Sequence, residues 1–329
     1  MWIHIPQSAE LEGTAAFARF RMPTFVILSV FFLFSSQHAH PARRIGAYAL
    51  SRLRILYLPF IAWAAIYFGY GVLLHLLLRG PAPAISLQFP ITGQTGHLWF
   101  LPFILAAGVI MFPLAQRWHG LQQRLVWIIA GVTLAGLLAA GIATPLASYC
   151  LSNIHMKSSS AQDMLHRAIT LVPCLPLGLG VYFLFRLTRE HSEQWRKRMA
   201  IAGLVLVAGC AWYNSLRPTN ALLEAIAGMG MVLIAFWPAR HPVLLWLSRL
   251  GRYSYGMYLV HMIFVDFFKT LRTAVLHLAP SWWYDLLTLA SCVLLSLAAA
   301  VVLSRFRWTR WLIAASPREK GRQKQVQLA

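Results

Sequence analysis

Apolar residues in this chain fall in long unbroken runs, not in alternation. Nine runs occur, at about 22–36, 56–78, 98–115, 125–149, 168–185, 199–213, 220–237, 253–268 and 286–304. A helix needs about 20 residues to cross a hydrocarbon core, and several runs reach that length while the others approach it. A membrane barrel would instead show strands of about 10 residues with alternating polarity. The pattern predicts an all-α, polytopic membrane helix bundle with about nine complete transmembrane helices. Loops between the runs are short. The polar, basic segment from Ser316 to Ala329 stands apart, which divides the chain into a membrane domain at 1–315 and a basic tail at 316–329.

Composition narrows the classes further. The chain is 329 residues long, 59% apolar and 12% charged, with a mean hydropathy of +0.61. A soluble domain carries roughly 25% charged residues. Soluble enzymes, disulfide scaffolds and disordered tails are therefore excluded. Net charge is +20 and the pI is near 10.8, values that also occur in nucleic-acid binders. In a membrane protein, basic cytoplasmic loops account for them, and no nucleic-acid partner is expected. Alternate loops hold 21 of the 29 Lys and Arg residues, including Arg43, Arg44, Arg52, Arg54, Arg186, Arg196 and Arg252; the other set holds 8. That asymmetry places the first set and the C-terminus in the cytoplasm of an inner-membrane protein. It leaves the N-terminus outside, where residues 1–9 read as the last turns of a helix whose start is missing. Cys150, Cys174, Cys210 and Cys292 lack metal-ligand spacing and read as packing residues; Cys150 and Cys174 fall near the outer face, where a disulfide would be permitted.

Several polar positions interrupt the apolar pattern. Pro23 opens the first complete helix, where its missing N–H costs nothing. Arg52 and Arg54 stand at the cytoplasmic entry of a helix that Pro59 should break early. Their planar donor forks suit phosphate, but snorkelling and topology explain them as well. His97 and Trp99 open the third run at the outer face, where Trp is expected at an interface and His97 could equally be a solvated loop residue. Ser254, Tyr258 and His261 lie at i, i+4 and i+7 and so share one helix face. A polar stripe inside a membrane must face protein or water, as a functional site or an interhelical hydrogen-bond seam. Glu224 and Asp266 sit near outer helix ends as anchors or as chemistry. His38 and His40 read as solvated. There is no Walker loop, GxSxG elbow or HExxH motif.

Four of these blocks, at 23–33, 51–60, 97–102 and 254–261, occur in the same order in one family. The chain resembles the acyltransferase 3 family of integral membrane O-acyltransferases over nearly its whole length. The resemblance implies ten helices with both termini in the cytoplasm. It also implies transfer of an acyl group, acetyl in the family's usual chemistry, from cytoplasmic acyl-CoA to an exported or envelope carbohydrate such as O-antigen, exopolysaccharide, peptidoglycan, Nod factor or glucan. Acyl-CoA (acetyl-CoA) is then a co-substrate, and no metal is implied. Final transfer occurs in the membrane protein or with a separate extracytoplasmic partner. The family's first helix carries an arginine and, about eleven residues later, a histidine base; His4 falls at that histidine, while the arginine would precede Met1. Arg52 and Arg54 would hold CoA phosphates. Ser254, Tyr258 and His261 would line the acyl passage or orient the base, and His97 and Trp99 would lie on the acceptor side. Val30 departs from the family, which has glycine there. A lipid-linked sugar flippase or small-solute transporter, or an inactive truncated homologue, would also account for the helices and the stripe.

Overall fold

The computed structural model describes Ile5 and residues 20–39, 43–78, 89–93, 97–117, 125–153, 159–189, 193–216, 220–238 and 242–313. Among these residues the chain is helical and has no strand, as the long apolar runs require. A helix forms at each of the nine runs. Five stretches are long and apolar enough by themselves to cross a bilayer: Ile45–Leu77, Phe100–Arg117, Trp127–Cys150, Gln162–Leu187 and Trp282–Arg305.

The central helix, α1 (Arg21–Ala39), is not among those five. Val26 and Ile27 are fully buried, and Val30, Leu33 and Phe34 nearly so. At its first turn, Phe20 O accepts from both the N–H and the hydroxyl of Thr24. Pro23, buried in the same turn, lacks only an N–H that a helix start leaves without an intrahelical partner. Helix α1 packs against α5 (Phe100–Arg117), α8 (Cys174–Arg189) and α10 (Ala221–Ile234).

Val30 does not hold its neighbour away. A Cβ placed on Gly178 of α8 would lie 2.7 Å from Val30 Cβ and 2.8 Å from Ile27 O. The small residue that permits close approach is therefore on the partner helix, not on α1. Helices α9 (Glu193–Leu216) and α10 approach still more closely: a Cβ on Gly203 would fall 2.5 Å from Gly230 O. Without a hydrophobic drive between helices in lipid, such small-residue contacts supply much of the association.

Two expectations need correction. Pro59 does not break its helix. Helix α2 (Ile45–Arg52) passes through a π turn, Leu53–Tyr57, into α3 (Leu58–Leu78), with Leu58 N–H donating to Leu53 O. The i to i−5 bond widens the turn just before Pro59, which makes room for its ring and lets the helix run on. Conversely, the run at 168–185 is not one helix. Helix α7 (Ser159–Leu171) ends at a turn over Val172 and Pro173, and α8 follows. Between α2/α3 and α5 lies the short α4 (Phe89–Thr92), and α6 (Leu125–Asn153) precedes α7. The loop after α10 holds a further helix, α11 (Pro242–Leu250), whose residues Pro242–Arg249 are all exposed. The cysteines are free: Cys174, Cys210 and Cys292 are buried and Cys150 half-buried, so no Cys150–Cys174 disulfide forms.

The remaining wall consists of α3, α12 (Ser254–Thr270) and α13 (Trp282–Arg305). Trp63 Nε1 donates to Leu312 O at 2.9 Å, tying α3 to the 3-10 turn Arg310–Ile313. A π turn at Leu271–Val275 extends α12 and buries Arg272 against Asp285 of α13, N to O 3.9 Å. The seam between this wall and the α1-centred helices carries the polar residues.

Candidate functional site

Three elements meet at that seam. The first is the turn His97–Trp99 before α5; the second is α12; the third is α3. His97 is 3% exposed, so it is not a solvated loop histidine. Its ring centre lies 5.1 Å from that of His261, 5.5 Å from Tyr258 and 5.4 Å from Tyr67, each edge to face. The Tyr258 hydroxyl donates to the His97 carbonyl and so fixes the turn on α12. The Tyr67 hydroxyl donates to Leu259 O at 2.6 Å and fixes α3 on the same helix. His261 is 4% exposed, and its Nδ1–H donates to Tyr258 O at 2.7 Å. Because a carbonyl only accepts, this bond places the proton on Nδ1 and makes Nε2 the basic nitrogen of the neutral ring.

The polar stripe on α12 is thus resolved into unlike members. Tyr258 and His261 face α3 and the His97 turn. Ser254, one turn earlier, is exposed. His97 and Trp99 also part company across their short turn. His97 faces the histidine–tyrosine cluster, whereas Trp99 is 5% exposed and borders a cavity.

That cavity has a volume of about 370 Å³ and opens between the start of α1, the Trp99 turn, α6, α7 and the start of α10. Arg21, Asp163, Arg167 and Glu224 supply its charge. Asp163 and Arg167 form an exposed i, i+4 pair at 3.6 Å. Asn220 caps α10 by accepting from Leu223 N–H at 2.9 Å. Ala221 N–H, one of the donors left over at a helix start, goes to Thr144 Oγ1 of α6 at 3.2 Å. Arg21 lines the cavity, and Phe25, one turn on along α1, meets the Tyr258 ring at 6.4 Å, so α1 runs between the cavity and the cluster.

At the other end of the bundle, Arg52 and Arg54 behave differently from one another. Residues two apart do not face the same way on a helix. The guanidinium carbons of Arg52 and Arg43 each lie 5.2 Å from the centre of the Tyr48 ring, in cation–π geometry. Tyr48 itself is buried and stacks on Phe112 at 4.6 Å. Arg52 Nε is buried with no hydrogen-bond partner among the described residues. Arg54 is exposed. The donor set around Tyr48 suits an anionic or planar group; Arg54 is placed for a solvated phosphate at most.

His4 lies outside the described residues. The residue after it, Ile5, is 2% exposed and clusters with Val265 of α12 and Cys292 of α13. His40 is also outside them; His38 is exposed. Glu224 lines the cavity, as above, while Asp266 is half-buried on α12.

Three participants escaped the reading of the sequence. Tyr67 was hidden in an apolar run, although a hydroxyl there is itself a polar intramembrane signal. Arg21 had counted only as a loop charge. The buried Arg272–Asp285 pair joins residues that the sequence shows only as separate interfacial charges.

A family model described as an acyltransferase domain matches residues 1–304. No curated protein and no solved structure matches the chain.

Proposed function

The chain belongs to the acyltransferase 3 family of membrane proteins, and from that premise we propose that it carries an acyl group, in the simplest case acetyl, from acyl-CoA to a carbohydrate hydroxyl. The donor arrives at the arginine-rich end, facing the cytoplasm, and the acceptor at the end bearing Arg21 and Trp99. The protein would be a multi-pass protein of the inner membrane with its C-terminus in the cytoplasm.

One observation carries this proposal: the third and fourth of the blocks that mark the family converge in space. His97 comes from the third block and Tyr258 and His261 from the fourth, and they pack ring against ring. The second block supplies Arg52, anchored over Tyr48 with one unused donor. In the proposed reaction, the acceptor hydroxyl oxygen attacks the thioester carbonyl carbon. His4 takes the hydroxyl proton as general base. The carbon–sulfur bond breaks, the CoA sulfur leaves as thiolate, and that thiolate takes up a proton. Arg52 holds the CoA phosphate groups, with Arg54 at their solvated edge. Tyr258 and His261 hold the His97 turn and border the acyl passage. Ser254, exposed one turn away, stands at the passage entrance. His97 and Trp99 stand on the acceptor side. Final transfer takes place in this protein or with a separate extracytoplasmic partner.

The test uses membranes containing the chain, radiolabelled acetyl-CoA and a cell-envelope glycan fraction. Label should reach glycan and should be lost on His4→Ala. A chain that neither binds acetyl-CoA nor transfers label would overturn the proposal in favour of a transporter.

A further inference from the structure

We infer that the 370 Å³ cavity beside Trp99 is an acceptor subsite selective for an uncharged sugar ring over an acidic one. This rests on the proposal that the acceptor is a carbohydrate, and it narrows the class. The volume lies within the range of ~300–1,000 Å³ usual for small-ligand sites. Trp99 contributes an aromatic indole to the lining, an apolar group of the kind against which sugar C–H bonds pack. Asn220, Asp163 and Glu224 offer carbonyl and carboxylate oxygens to hydroxyl donors.

The charge balance decides between neutral and acidic rings. Among the described residues, two arginines and two carboxylates line the cavity beside His166, and the formal charges of the four cancel. Asp163 is matched to Arg167 at 3.6 Å. Arg21 lies in the field of Glu224. An acidic sugar would meet cations already balanced by carboxylates and would be repelled by those carboxylates. A neutral ring instead accepts hydrogen bonds from the same groups and donates them, with no net charge to oppose it. The position suits transfer as well. Trp99 is two residues from His97, and Phe25, one turn after Arg21 on α1, meets the Tyr258 ring at 6.4 Å, so a bound ring lies beside the cluster.

The experiment is saturation-transfer NMR on the full chain in nanodiscs. The probes are neutral oligosaccharides (α- and β-glucan and N-acetylglucosamine oligomers) and an oligogalacturonate of equal length. At least one neutral oligomer should bind, about tenfold more tightly than the acidic one. Glu224→Gln should weaken neutral binding roughly tenfold, the effect of a lost hydrogen bond to a charged group. Trp99→Ala should do the same; because Trp99 is buried, Asp163→Asn at an exposed position provides a variant that keeps the fold. The double variant Asp163→Asn, Glu224→Gln should shift preference toward the acidic oligomer. Absence of neutral binding, equal or tighter acidic binding in the native chain, or indifference to these substitutions would overturn the inference. Glycan binding without acetyl transfer would sink the enzymatic proposal alone. Transfer confined to acidic glycans would sink this inference alone.

Discussion

At one end of the bundle, Arg52 lies against the Tyr48 ring beside the exposed Arg54. At the other, His97 and His261 face each other at 5.1 Å, both almost wholly removed from solvent. Both ends combine aromatic rings with nitrogen donors. The difference is what holds each polar group. The arginine is held by a ring face and is only half-buried, which suits a group that must bind and release a charged ligand. At the histidine end, two tyrosine hydroxyls and one imidazole N–H are already committed to backbone carbonyls. Those bonds fix geometry and tautomer. One end is therefore suited to grip, the other to positioning, and substitutions should separate KM effects from kcat effects.

The largest expected loss is at His4, the proposed general base. His4→Ala should lower transfer about 10²–10⁴-fold, the usual contribution of a general base, with unchanged acyl-CoA binding. Glycan acetylation assayed alongside acetyl-CoA binding checks this; weakened donor binding in His4→Ala would erase the contrast between the ends.

Next comes Tyr258→Phe. It removes the donor to the His97 carbonyl and leaves that carbonyl buried, a cost of about 1–3 kcal/mol. Read as kcat, this is roughly tenfold to a hundredfold, at an unaltered KM for acyl-CoA. A rise in that KM instead would mean the two ends are not independent.

Gly178→Ala tests the middle of the bundle, which both ends share. The added methyl meets Val30 Cβ at 2.7 Å, so overpacking should cost about 1–3 kcal/mol. Thermal unfolding in detergent reads the cost, and Val30→Gly in the same chain should recover only part of it, because Ile27 O still lies 2.8 Å from the added methyl. Unchanged stability in the single variant would show that α1 and α8 can separate freely.

Arg52→Ala should raise the KM for acyl-CoA about tenfold, in keeping with loss of a charge-assisted hydrogen bond. Arg52→Lys should recover only part, since the ammonium lacks the planar fork that stacks on Tyr48. Smallest of all, Arg54→Ala should change KM less than about threefold, as befits an exposed charge. Steady-state kinetics at fixed acceptor rank the pair; equal effects would restore the symmetric arginine pair suggested by spacing alone.

The helices were legible because hydrophobic runs of membrane length have few other uses. Their boundaries were less so. Pro59 and Pro173 look alike in sequence, yet a π turn absorbs the first while the second sits in a turn between α7 and α8. What separates them is the backbone before each proline, which residue type does not specify. Val30 raised doubt about a close approach that Gly178, far away in sequence, provides.

The site was legible in part for the same reason. The chain alone determined that polar groups inside apolar runs require protein partners, because lipid offers none; that singled out Tyr258 and His261. It also placed His97 and Trp99 beside the start of one helix. Only tertiary structure decided that His97 meets His261, that Tyr67 closes the cluster, that Ser254 stays exposed, and that Arg52 rather than Arg54 is anchored. It also decided that Arg21, Asp163 and Glu224 meet around one cavity. Each of these depends on which helix faces which, and that follows from shape and small-residue contact between helices distant in the chain. Hydrophobic periodicity sets how many helices form and where polar side chains leave their axis, but carries no information about the neighbour they meet.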